Sequence, residues 1–168
     1  MLALSLPLPI LMTYGFILSP PPGANVRHKV KCASNLRQIG LGAILYADGH
    51  RGGAMPPDLQ AILDTQDITA NAFTCPATRH AATGGGFLEF GVTSSYIWTA
   101  RGLTNRAGRG QPLAFEPLAN HAFVGGNVLF ADGSVTFETP ATVKTLVAAE
   151  VAAGRLTRAE AAVLIKDN

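Results

Sequence analysis

Apolar residues recur at steps of three and four between residues 25 and 49: Val26, Val30, Ala33, Leu36, Ile39, Ala43 and Tyr46, with Arg27, Lys31, Arg37 and Gln38 left to other faces. That period predicts a long helix with one packing face. Asn25 is placed to cap its start and Gly49 to end it. Gly40 and Gly42 inside the helix each cost about 1 kcal/mol against alanine, which implies a close neighbour there. Farther on, the pattern changes to alternation. "NVLFA", "DG" and "SVTFE" (residues 127–138) predict a hairpin closed by a two-residue Asp-Gly turn of type I′. In that register Phe130 faces Val135 and Val128 faces Phe137, all on one side, with Asn127, Leu129, Thr136 and Glu138 on the other. Asp132 and Gly133 then have a full explanation as turn residues. "DLQAILDTQ" predicts a short helix capped by Asp58, and "TSSYIWTA" a strand. The C-terminal stretch from Thr139 predicts two helices split by Gly154, with Thr139 or Thr142 and then Thr157 as caps, and Glu160 at capping-box spacing from Thr157. Ala148, Ala149, Ala152, Ala161 and Ala162 make a small-residue surface there.

The 168 residues suffice for one domain, read in three parts. Residues 1–24 form an apolar N-terminal segment expected to associate with a membrane, 25–138 an α+β domain, and 139–168 a C-terminal helical extension. The first charged side chain is Arg27, although Pro7, Pro9 and the run Pro20 to Pro22 oppose a regular helix before it. Hydrophobic residues make up 48% and charged residues 14% of the chain, a composition that suits a cell-envelope setting. A net charge of +2, scattered along the sequence, excludes a nucleic-acid surface.

Candidate chemistry is sparse. The two cysteines, Cys32 and Cys75, lie in no CxxC or Cys/His ligand cluster, which argues against zinc. In an oxidising compartment they would pair, closing a loop of about 43 residues for roughly 4 kcal/mol; in a reducing one they would be buried thiols. Of the four histidines, His28, His50, His80 and His121, none falls in a metal or nucleophile motif. The glycine run at 83–87 has no phosphate-loop Lys-Ser/Thr. His121 and Asp132 would share a metal only if the fold joined them, and the hairpin reading keeps them apart. "RGLTNRAGRG" is a polar loop whose three arginines offer a contact for an acidic partner. No small-molecule substrate, cofactor or metal is indicated.

The segment "RHKVKCASNLRQIGLGAILYADGHRGGAMPPDL" resembles the region after the N-terminal helix of bacterial prepilin-like proteins, the type II secretion pseudopilins and type IV pilin relatives. The resemblance is carried by Cys32, Asn35, Leu36, Arg37, Gln38, Ile39, Gly40, Leu41, Tyr46, Pro56 and Pro57. Cys75 with Pro76 resembles the family's second cysteine motif, and "SSYIW" its Ser-Tyr strand. His121, Gly125, Gly126, Asn127, Phe130, Asp132, Gly133 and Ser134 resemble its C-terminal signature, although residues 122–131 make the spacer one residue longer than usual. "GFILSPPP" echoes the processing site but lacks its glutamate. The resemblance implies a pilin-like α+β fold, with a long N-terminal helix on a small antiparallel sheet and C-terminal helices. It implies a non-catalytic pseudopilin-like structural or assembly protein of the envelope, anchored in the inner membrane through its N-terminal segment with the domain outside the cytoplasm. Its partners would be other pilin-like or secretion-system subunits. Arg27, Lys29 and Lys31 favour the opposite orientation; the resemblance and the cysteines favour the outside. The rival readings are a secreted or membrane-tethered binding module using the arginine loop, and a metal-dependent enzyme built on His121 and Asp132.

Overall fold

Helix α1 (Ala24–Gly49) runs for 26 residues, about 39 Å at helical rise. The computed structural model that shows it describes residues 24–78 and 94–166. The face α1 buries consists of Cys32, Asn35, Leu36, Ile39, Gly40, Gly42, Ala43 and Ala47. This corrects the face drawn from the apolar pattern. Leu36, Ile39 and Ala43 are inside, Ala33 and Tyr46 are half-buried, but Val26 and Val30 stand 62% and 64% exposed. The physical reason is that Cys32 and buried Asn35 take inward positions, which rotates the stripe away from the two valines. Asn25 lies inside the helix rather than at its cap. Gly49 is its last residue, while the left-handed turn comes later, at Gly52 and Gly53.

Gly40 sits where the helix meets the sheet. A Cβ there would lie 2.8 Å from Leu129 Cδ1, so the absence of a side chain sets the approach distance. Gly42 does the same for helix α2 (Leu59–Thr65), where a Cβ would lie 2.9 Å from Ile62. Asp58 caps α2 by accepting from Ala61 N at 2.8 Å.

Four antiparallel strands follow in the order β1 (Ile97–Trp98), β2 (Pro112–Phe115), β3 (Gly126–Phe130) and β4 (Val135–Glu138). The β3–β4 hairpin is formed, but its register is one residue from the expectation. Asn127 pairs with Phe137, Val128 with Thr136 and Leu129 with Val135. The loop is therefore Ala131, Asp132 and Gly133, closed by Phe130 N donating to Ser134 O at 2.9 Å. Only Gly133 has a positive φ, 79°, as a three-residue loop ending in a left-handed residue requires. Asp132 accepts from Ser134 N at 3.0 Å, which selects this loop over a type I′ turn.

A one-residue slip turns every side chain over. Leu129 and Val135 now join Trp98 and Ala114 in the core beneath α1. Val128, Phe115 and Ile97 face the other way, with half-buried Phe130, into a second core made by α3 (Pro140–Ala152) and α4 (Arg158–Ile165). Helices thus cover both faces of the sheet, and the architecture is α+β. Thr139 caps α3, and Thr157 with Glu160 forms a full capping box on α4.

The expected membrane attachment is corrected. Among the described residues no helix is long and apolar enough to cross a membrane. Helix α1 carries Arg27, Lys29, Lys31, Arg37 and Asp48, too much charge for hydrocarbon. Inner-membrane anchoring through the N-terminal segment, and the localisation that followed from it, are withdrawn. Residues 1–23, His80 and the glycine run at 83–87 lie outside the described residues.

Candidate functional site

The polar centre of the molecule lies between α1 and the sheet. Glu116 follows β2 directly and points toward α1, where it is fully buried. Its Oε2 accepts from Asn127 Nδ2 at 2.6 Å and lies 3.0 Å from His121 Nε2; its Oε1 accepts from Asn120 Nδ2 at 3.3 Å. Asn127 on β3 also donates to Lys29 O of α1 at 3.3 Å, so one amide ties helix, strand and carboxylate together. His121 ends the 3-10 turn Leu118–His121 and is followed by Ala122 and Phe123, both left-handed at φ 53° and 62°. Two such residues without glycine are unfavourable; Phe123 N donates to Leu118 O at 2.9 Å and the Phe123 ring packs against the core beneath the C-terminal helices, which fastens the segment. The Phe137 ring meets His121 edge-on at 5.7 Å between centroids, and Lys29 Nζ stands 4.1 Å from that ring's centre.

Cys32 of α1 and Cys75 are joined by a disulfide with a Cα separation of 5.3 Å. Asn35, one turn along α1, donates to Thr74 O at 2.8 Å and holds the chain beside Cys75. Tyr96 completes the wall, and burial, then the nearby Glu116 carboxylate, push its phenol far above the ordinary tyrosine value. The cysteine sulfurs, a Glu116 oxygen and a His121 nitrogen all lie within 4.8 Å of one another. Sequence spacing argued against such a grouping, because its four members come from four separate elements.

The structure does not join His121 to Asp132. Asp132 is exposed at the hairpin loop, its carboxyl held below the usual range by hydrogen bonds from Ser134. His121 is satisfied by Glu116 instead. Among the motif residues, Leu36, Ile39 and Gly40 are core, Gln38 is exposed, and Gly133 and Phe130 serve the hairpin. His50 is engaged at the end of α1, stacked on Tyr46 at 3.6 Å. In the arginine loop, Arg101 pairs with Glu160 at 3.0 Å.

Glu116 and Asn120 were not among the residues singled out from the sequence, and Tyr96 entered only as the tyrosine of the Ser-Tyr strand motif. The available signal was a carboxylate ending the apolar run "PLAFE", five residues before His121. An unpaired charge is costly in a core, so such a residue requires a partner. No family model, curated protein or solved structure matches the chain. The pseudopilin, type II secretion and type IV pilin terms suggested by the motifs gain no support from these comparisons.

Proposed function

We propose that this chain is a non-catalytic, pilin-like structural or assembly protein that packs through the outward face of α1. The observation behind this reading is the set of aliphatic side chains exposed on that face, beside Arg27, Arg37 and Asp48. Val26, Val30, Leu41 and Leu45 are 62%, 64%, 60% and 54% exposed, on the side of α1 turned away from the sheet. A surface helix ordinarily places polar residues there, and a row of exposed aliphatic side chains is what a second helix packs against. Leu41, Leu45 and Ile68 also line a shallow hollow between α1 and the chain after α2, open to a protruding side chain. The buried polar centre supports a structural role, since among the described residues no fully buried side-chain nitrogen or oxygen lacks a partner. The partner would be another copy of the chain or a subunit with a comparable helix.

The test is photo-crosslinking from positions 30 and 41 in the native cells, read by mass spectrometry. Crosslinks to a second copy or to a subunit with a comparable helix are expected, and Leu41→Asp combined with a probe at position 30 should abolish them. Monomer alone from both positions would sink the reading.

A further inference from the structure

We propose that Cys32, Cys75, His121 and Glu116 form a redox-gated site for a thiophilic divalent cation, closed while the disulfide stands and opened when a dithiol reduces it. The donor set is two sulfurs, one imidazole nitrogen and one carboxylate oxygen, all within 4.8 Å of one another. Zinc bonds of about 2.0–2.3 Å place tetrahedral ligand atoms roughly 3.3–3.8 Å apart. His121 Nε2 and Glu116 Oε2, at 3.0 Å, need to open by only a few tenths of an ångström for an ion to enter between them. The sulfurs must part farther, because a disulfide offers no thiolate to a metal. Cys32 is fixed in α1, whereas Cys75 lies in the chain that follows the 3-10 turn Ala70–Phe73, outside any helix or strand.

The surroundings are arranged as a ligand shell requires. Asn127 and Asn120 each donate to a Glu116 oxygen, fixing the carboxylate, and Asn35 holds the chain beside Cys75. Two thiolates and a carboxylate exceed a divalent ion's charge by one; Lys29 is the near cation, over the Phe137 ring that touches His121. Thiolate and imidazole ligands favour Zn2+ or Co2+ over Mg2+ and Ca2+. A dithiol passes two electrons and two protons to the Cys32–Cys75 bond and leaves as its own cyclic disulfide; the ion then displaces both thiol protons to solvent and takes the Nε2 lone pair of neutral His121, whose ring proton is on Nδ1. Reduction alone would leave two thiols beside a buried carboxylate, and the cation restores a cross-link at the same point in the core.

The experiment titrates Co2+ into the full chain, oxidised and dithiol-reduced, after anaerobic removal of the reductant. The reduced protein is expected to bind one equivalent with thiolate-to-cobalt charge-transfer bands and strong visible absorption of tetrahedral type. Zn2+ should displace these bands and Mg2+ should not, and the oxidised protein should show none. His121→Ala should weaken Co2+ binding at least about 10-fold, the lower end of what even outer partners of a metal site cost. Glu116→Gln, which preserves shape, tests the same point without opening a hole. Three results would overturn the proposal. One is reduced protein that keeps the near-ultraviolet signal of buried Trp98 yet shows no thiolate band. Another is loss of that signal on reduction without recovery in Zn2+. The third is binding indifferent to both substitutions, which would leave the cysteines as the only ligands.

Discussion

The two faces of the sheet are held in different ways. Beneath α1 the core carries a disulfide and a buried set of Asn35, Glu116, His121 and Asn127. Beneath α3 and α4 the core is aliphatic and aromatic, built on Phe115, Val128, Val147 and Leu164. Among the described residues its buried charge is Glu150, at the margin, where Arg155 pairs with it at 2.6 Å and Gln111 donates to it at 2.9 Å. Apolar contacts are non-directional and tolerate repacking. Hydrogen bonds to a buried carboxylate have one good geometry and are expensive to leave unmade. The α1 side therefore fixes the position of a particular helix on a particular strand, while the other side chiefly contributes bulk burial.

The sharpest way to break this contrast is at Glu116. Glu116→Ala should cost about 3–5 kcal/mol, since it strips buried His121 of its carboxylate partner and takes from the Asn127 and Asn120 amides one of the two acceptors each has. Urea denaturation checks this; a loss under 1 kcal/mol would show the polar set to be incidental. Next comes the approach of α1 to the sheet. Gly40→Ala should cost about 1–3 kcal/mol by driving a methyl against Leu129, seen as a lowered midpoint with an unchanged slope.

On the opposite face the corresponding break is a cap. Thr157→Ala should cost about 1 kcal/mol, and its effect should depend on acid. Burial raises the Glu160 carboxyl, but hydrogen bonds from Thr157 and the Arg101 guanidinium outweigh it and leave Glu160 below its usual range. Its contribution is thus present above the unfolded carboxyl value and lost as pH falls through the lowered folded one. Stability of the parent and of Thr157→Ala should converge on acidification, measured by thermal melts.

The smallest effect at neutral pH belongs to Tyr96. Its phenol is raised in the folded state, so its contribution is complete below the unfolded value of about 10 and is lost as pH rises beyond it. Tyr96→Phe should match the parent near neutrality and resist alkaline unfolding better. Equal alkaline midpoints would refute the assignment.

Much of the local structure was legible in the sequence because it rests on local chemistry. The helix over 24–49, the Asp58 cap, the hairpin's position and the Thr157–Glu160 box follow from spacing and side-chain type within a few residues. The cost of Gly40 announced a close neighbour, and Leu129 is that neighbour. What the sequence misplaced were choices with two local answers. Asp-Gly closes either a two- or a three-residue loop, and only the sheet's burial on both faces decided which, taking Phe130 to one core and Val135 to the other. Val26 and Val30 satisfy helical periodicity as well as Cys32 and Asn35 do. The inward side was decided by the disulfide and by the Asn35 bond to Thr74.

By itself, then, the sequence determined the elements, their caps and the points where backbones meet closely, because those depend on torsions and on bonds made within a turn. Only the tertiary structure determined the polar centre. Cys32, Cys75 and the Glu116–His121 pair are distant along the chain, and no periodicity relates them. A carboxylate at the end of an apolar strand is tolerable only if other elements bring it hydrogen-bond donors, and that requirement is met in space, by the packing of α1 on the sheet.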